Sequence, residues 1–258
     1  MENKRKVIIT GGSKGIGKSI AFKFAENKFD IYLLSSNKKN LQKVKNAIKK
    51  KFDVNILFCN ANLKTQEGCN FAIKKIQSDF NDFDTIIFSA GDTKSGNFLT
   101  QPLEDYFDGF ALKFFSVVRL LRAFWKILKR KKGWVVIING AMAHTPDQNF
   151  MVGGAVNAAL QNFSNALSKK GMIDNVNVNV INPGMTSTKR LNAIIRANAK
   201  RENTSFKIAK NNALLSSNLK RFSTPEEVAE VAYFICQKNV RHFNGNIINL
   251  DGGKKPTI

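Results

Sequence analysis

Gly11, Gly15 and Gly17, three of the four glycines in the stretch VIITGGSKGIG over Val7–Gly17, are spaced in a way that is the first feature to point to chemistry. Val7, Ile8 and Ile9 read as a short strand buried on both faces. From Gly15 onward Ile16, Ile20 and Phe24 recur at helical spacing, with Ala21 and Ala25 beside them. A strand, a glycine turn and a helix start present free backbone N–H groups and a positive dipole end to a phosphate. The glycines allow tight turning and close backbone approach, while Ser13 and Lys14 add donors within the turn. The expected chemistry is nucleotide binding.

Such a turn works only if a sheet and its helices hold it in place. Apolar strands at Phe29–Leu34, Val54–Phe58, Thr85–Phe88, Trp134–Ile138 and Val176–Ile181 alternate with amphipathic stretches. The helices are predicted over Lys38–Lys51, Thr65–Asp79, Pro102 to about Lys131, and Met151–Lys170. Strict alternation with right-handed crossovers gives a doubly wound parallel α/β sheet. With 258 residues, 43% of them hydrophobic, the chain can bury a full core as a single domain over residues 1–258. Lys189–Lys220 is irregularly patterned and rich in Asn, Ser and Lys, so it is expected to be a mobile segment. Thr224-Pro225-Glu226-Glu227 then starts a helix with an N-cap, a first-turn proline and acidic residues.

The TGxxxGxG spacing resembles the short-chain dehydrogenase/reductase family, and the resemblance runs well past the turn. FSAG at Phe88–Gly91 is similar to that family's NNAG, and NPGMTST at Asn182–Thr188 to its PG turn after the sixth strand. RFSTPEEVA at Arg221–Ala229 and GNIINLDGG at Gly245–Gly253 resemble its C-terminal helix and last strand. The resemblance implies a Rossmann-type fold and a nicotinamide dinucleotide. Its binding residues would be Gly11, Ser13, Lys14, Gly15, Ile16, Gly17, Ser36, Asn37, Asn62, Leu63, Ser89, Ala90, Gly91, Asn157, Pro183, Gly184 and Thr188. It also implies that Lys189–Lys220 covers the substrate. At the end of the second strand, Leu34-Ser35-Ser36-Asn37-Lys38 carries no carboxylate to repel a 2′-phosphate. Lys14 can pair with a 2′-phosphate, and Ser36, Asn37 and Lys38 add donors, which favours NADP(H) over NAD(H).

The same resemblance implies that the usual acid–base groups are missing. Aligning VGGAVNAALQNFSNAL with the family's YxxxK helix puts Gly153 at the tyrosine position and Asn157 at the lysine position. INGAMAH puts Gly140 at the serine position, and GFALKFFSVV puts Lys113 where the family has an asparagine. The chain's three tyrosines, Tyr32, Tyr106 and Tyr233, all lie outside this helix. Two replacement acids are candidates. His144 lies on the loop leaving the fifth strand, and an imidazole titrates in the right range. Lys113 either projects into the space left by the missing groups, where burial would lower its pKa, or extends to the surface.

Composition limits the partners. Lys and Arg total 41 against 19 acidic residues, a net charge of +22. The cations are spread along the chain, which reads as a solvated surface rather than a nucleic-acid site. Three cysteines without metal spacing suit reduced thiols in a cytoplasmic protein, and no metal site is expected. No run approaches the roughly 20 apolar residues of a membrane span. The long helix carries Phe110, Phe114, Phe115, Val118, Leu121, Phe124 and Trp125, more apolar area than one sheet-facing stripe needs. A homodimer or homotetramer built on this helix and Met151–Lys170 is therefore expected. The reading is an atypical NAD(P)(H)-dependent oxidoreductase acting on a carbonyl or alcohol; the alternative is a catalytically inactive nucleotide-binding protein or sensor.

Overall fold

The computed structural model describes residues 4–253; the remainder of the domain expected over residues 1–258 lies outside that range. Seven parallel strands form one sheet in the order β3-β2-β1-β4-β5-β6-β7. They are β1 (Lys6–Thr10), β2 (Asp30–Ser35), β3 (Ile56–Asn60), β4 (Thr85–Phe88), β5 (Trp134–Ile138), β6 (Asn177–Pro183) and β7 (Ile247–Leu250). The order reverses between β1 and β4, which opens a crevice beyond their C-terminal ends.

Alternation along β1 feeds both layers of helix. Val7 and Ile9 pack with Ile20 and Phe24 of α1 (Gly15–Glu26) and with Val228 and Ala232 of α9 (Pro225–Phe234). Ile8 points the other way, into a core with Ile76 of α3 (Gln66–Phe80) and Leu120 and Phe124 of α5 (Ser116–Lys131). The second layer is completed by α6 (Met151–Asp174), through Leu160. The glycine spacing is enforced by contact: a Cβ at Gly17 would fall 2.5 Å from the Gly11 carbonyl oxygen, and one at Gly11 2.7 Å from that of Ser89.

Two local features depart from the sequence reading. The long helix is interrupted: α4 (Leu103–Phe110) joins α5 through a π-turn at Ala111–Phe115, which carries Lys113. Such turns insert a residue and turn the helix face; they occur often at functional sites. Lys189–Lys220 is not irregular either. It folds as α7 (Lys189–Arg201) and α8 (Phe206–Leu215), capped by Thr188 and Ser205. Leu191, Ile195, Ala199, Ala209 and Phe222 form a small core between them. Short apolar positions scattered among lysines were enough, because each helix buries only one narrow stripe.

Candidate functional site

The crevice is the mouth of a cleft of about 1320 Å³ along the C-terminal edge of the sheet. Its floor begins at the glycine turn. The Gly11 N–H donates to Leu34 O at 2.8 Å, and the Ser13 and Ser35 hydroxyls lie 2.8 Å apart. Thr10 Oγ1 accepts from the N–H groups of both Ser89 and Ala90 at 3.1 Å, which fixes β1 against the end of β4. Gly15 has φ +52°, and a Cβ there would meet only the Thr188 side chain, at 3.5 Å. The backbone at Gly15 is thus left open to a ligand, while Gly11 and Gly17 are closed by the protein itself.

Of the residues expected to bind a dinucleotide, Gly11, Ser13, Lys14, Gly15, Ile16, Gly17, Ser36, Asn62, Leu63, Ser89, Ala90, Gly91, Asn157, Pro183, Gly184 and Thr188 all line the cleft. Asn37 does not; its side chain caps α2 (Lys38–Lys49) by accepting from the Asn40 N–H at 2.9 Å. Asn40 and Lys43, one and two turns into α2, line the cleft instead, with Val44 and Ala47 on the same face. Their spacing of three, four and seven is a helical stripe, a signal present in the sequence but not used. Lys14, Lys18 and Lys43 surround this end, and the lining carboxylates, Asp92 and Asp251, belong to the β4 and β7 ends.

At the other end Lys113 reaches the strand ends. Its ammonium donates to the Asn139 carbonyl oxygen at 3.1 Å and to Asn157 Oδ1 at 2.5 Å. Its stem lies over Gly91, whose Cβ would sit 3.4 Å from Lys113 Cδ. Two neutral acceptors hold two of three ammonium protons, leaving one for the cleft. Burial pushes Lys113 from an ordinary 10.5 down to about 7, and the nearby Arg190 guanidinium acts in the same direction. The alternative of a surface-seeking lysine is overturned: the side chain runs over Gly91 to Asn139 and Asn157.

The small residues around it are filled by neighbours. A Cβ at Gly140 would lie 2.8 Å from Asn157 Nδ2. A Cβ at Gly153 would overlap the Phe150 ring, 1.8 Å from Cε1, and Phe150 lines the cleft. Asn139 Nδ2 donates to the Asn157 carbonyl oxygen at 3.1 Å, and Gly140 N–H to Asn182 Oδ1 at 3.2 Å. Asn157 of α6 is therefore locked against the residues that follow β5. His144 is not brought to this group. It ends a short 3-10 turn, its Nε2 is buried without a hydrogen-bond partner, and the cleft wall beside it is built by Met142 and Thr145. Among the described residues no cluster suits a metal ion.

This sheet order, with a glycine turn and a cleft at the switch point, defines a Rossmann-type nucleotide-binding protein. The sequence profile of short chain dehydrogenases matches residues 5–199, and the chain belongs to that family. It is 26% identical to the NADPH-dependent reductase BacG of Bacillus subtilis, over 99% of this chain and 100% of that protein. It is 25% identical to the 3-oxoacyl-[acyl-carrier-protein] reductase FabG of Aquifex aeolicus, over 95% of each chain. The L-sorbose reductase of Gluconobacter frateurii, solved with NADPH and L-sorbose, superposes with a TM-score of 0.93 at 26% identity, covering 99% of this chain and 98% of that one.

Proposed function

We propose that this protein is an NADP(H)-dependent oxidoreductase of a small carbonyl or alcohol, in which Lys113 replaces the family's tyrosine as the proton-bearing group. The observation that carries the reading is the Lys113 ammonium, held by Asn139 O and Asn157 Oδ1 in the lining of the cleft. The dinucleotide fits the residues present: the open backbone at Gly15 suits a pyrophosphate, and Lys14, Lys43 and Ser36 suit a 2′-phosphate. NADPH in the names of BacG and the sorbose reductase complex supports the same choice.

Bound in the cleft, the dinucleotide supplies a hydride to a carbonyl carbon. Lys113 holds the proton that the carbonyl oxygen requires and takes it back from an alcohol in the reverse direction. Asn157 fixes the ammonium, and Asn139 orients Asn157 from β5. Phe150 and Met142 make one wall apolar. His144, the other candidate acid, is not among the residues that line the cleft, and its Nε2 is buried. The reading of Gly140, Gly153 and Asn157 as substitutes for serine, tyrosine and lysine is favoured by the Phe150 ring, which fills the space above Gly153. That same ring favours the second reading, an inactive nucleotide-binding protein, if Lys113 transfers no proton.

Titration with NADPH and NADH, followed by a panel of aldehydes and ketones, tests both readings. NADPH is expected to bind the more tightly, with Lys14→Ala and Lys43→Ala each shrinking the difference. Generic ketones are expected to be reduced only in traces, since loss of an optimally placed acid commonly costs about 10²–10⁴-fold. Equal affinities would remove the 2′-phosphate assignment, and ordinary rates would overturn the assignment of Gly153. Binding without turnover on any carbonyl would leave the second reading.

The chain is further proposed to be a homodimer or homotetramer of the cytoplasm. Its cysteines are free and buried, which suits a reducing compartment. Leu121 and Phe124 enter the core, and Phe114 packs on Phe163, but Leu103 and Phe107 of α4 and Phe115 of the π-turn remain exposed. Light scattering at micromolar concentration is expected to give a dimer or larger, and Phe107→Glu to weaken it; a monomeric wild type would refute the interface.

A further inference from the structure

Helix α7 opens beside the cleft with two cations, Lys189 and Arg190, and no acidic residue in its first turn. The helix dipole disfavours positive charge there, so an arginine at this place needs another reason. Its contacts supply one. Arg190 Nη1 donates to Gly91 O at 3.0 Å, and Nη2 donates to Thr93 O at 2.8 Å and to Thr93 Oγ1 at 3.3 Å. Asp92 Oδ1 lies 3.6 Å from Nη1. All three residues belong to the loop after β4, nearly a hundred positions away in sequence, and all three line the cleft together with Arg190. A guanidinium suits this bridge because its donors form a rigid planar fork; an ammonium does not.

Gly91 is held on two sides. Arg190 grips its carbonyl oxygen, and the Lys113 stem runs 3.4 Å from the place of its missing Cβ. The contact that fastens α7 across the cleft is therefore the one that brings a permanent positive charge toward the proton-bearing group.

We infer that Arg190 is a clasp that fastens the α7–α8 segment over the cleft and, when fastened, acts as a positioning residue for Lys113. This rests on Lys113 being the proton source proposed above. Burial is the larger cause of the Lys113 ammonium's raised acidity; the fastened clasp adds repulsion to it, and release removes that repulsion. Closure over substrate and activation of the acid then become one event. Few other charges compete. From Met151 to Ser168 α6 carries no ionisable side chain, and neither does β5. On α4, Asp105 and Asp108 are paired with Lys94 and Lys64. Asp92 stands on the Arg190 side, on α5 Arg119 donates to Lys64 O, and His144 does not line the cleft.

The test uses the full chain without cofactor, as wild type, Arg190→Gln and Arg190→Lys. Limited proteolysis reads the clasp: both variants are expected to be cut within residues 189–220 at least about tenfold faster than wild type, since local opening governs cleavage. Acylation of Lys113 by acetic anhydride, followed by mass spectrometry across pH, reads its acidity. The wild-type midpoint is expected near the value of about 7 that burial and Arg190 set. In Arg190→Gln it should move to higher pH, and Arg190→Lys, which keeps the charge without the fork, should move it less. Unchanged proteolysis in both variants overturns the clasp. Faster proteolysis with an unmoved midpoint overturns the coupling to Lys113. A wild-type Lys113 with an ordinary lysine midpoint would overturn the coupling and also remove Lys113 as the proton source, while proteolysis still judges the clasp by itself.

Discussion

Lys113→Met is expected to abolish carbonyl reduction while NADPH still binds. The loss should reach about 10²–10⁴-fold, the usual worth of a well-placed general acid. Methionine keeps the apolar stem along Gly91 but removes the ammonium between Asn139 O and Asn157 Oδ1. The pH dependence follows from the same group. A proton donor must be protonated, so reduction by wild type should fall as pH rises through about 7. Stability should move in the opposite sense. A lysine whose pKa falls from 10.5 unfolded to about 7 folded destabilises the fold below about pH 7, and this penalty fades as pH rises toward 10.5. The melting temperature of Lys113→Met relative to wild type should therefore be most favourable at acid pH and lose that advantage in alkali. Full turnover by Lys113→Met on a substrate of the wild type would refute the assignment. A melting difference that does not vary with pH would show that the ammonium is not under a burial penalty.

Gly15→Val is the second large effect: NADPH binding should weaken at least about a hundredfold, which a fluorescence titration resolves easily. The physical reason separates this glycine from its neighbours. At Gly15 φ is +52°, in the left-handed region that a β-branched residue adopts only with strain. A Cβ there meets no backbone, only the Thr188 side chain at 3.5 Å, so added bulk projects into the cleft, where the proposed pyrophosphate would lie. The fold should survive with a modest drop in melting temperature. Gly17→Val should behave differently, because its Cβ would fall 2.5 Å from the Gly11 carbonyl oxygen and drive α1 off β1. Wild-type affinity in Gly15→Val would mean that the turn does not cradle the pyrophosphate.

The sequence by itself determined the sheet and the glycine turn that floors the cleft. Those features are local: an apolar run such as Val7–Ile9, a glycine turn, and a helix start are read within a dozen residues. The lack of a carboxylate after Leu34 is equally local. The sequence also narrowed the acid–base candidates to His144 and Lys113, because tyrosine was missing from the helix that begins at Met151. It could not choose between them. Nor did it show where either side chain goes: Lys113 sits in a π-turn at Ala111–Phe115 that no distinctive residue announces. Asn37 and Lys43 show the same limit, since helix phase decided which of them faces the cleft and which caps the helix. Tertiary structure alone decided that Phe150 would fill the space over Gly153, and that Arg190 would reach Gly91 and Thr93 from the far side of the chain. Contacts between residues a hundred positions apart follow from how the strand ends converge, and no spacing along the chain records that convergence.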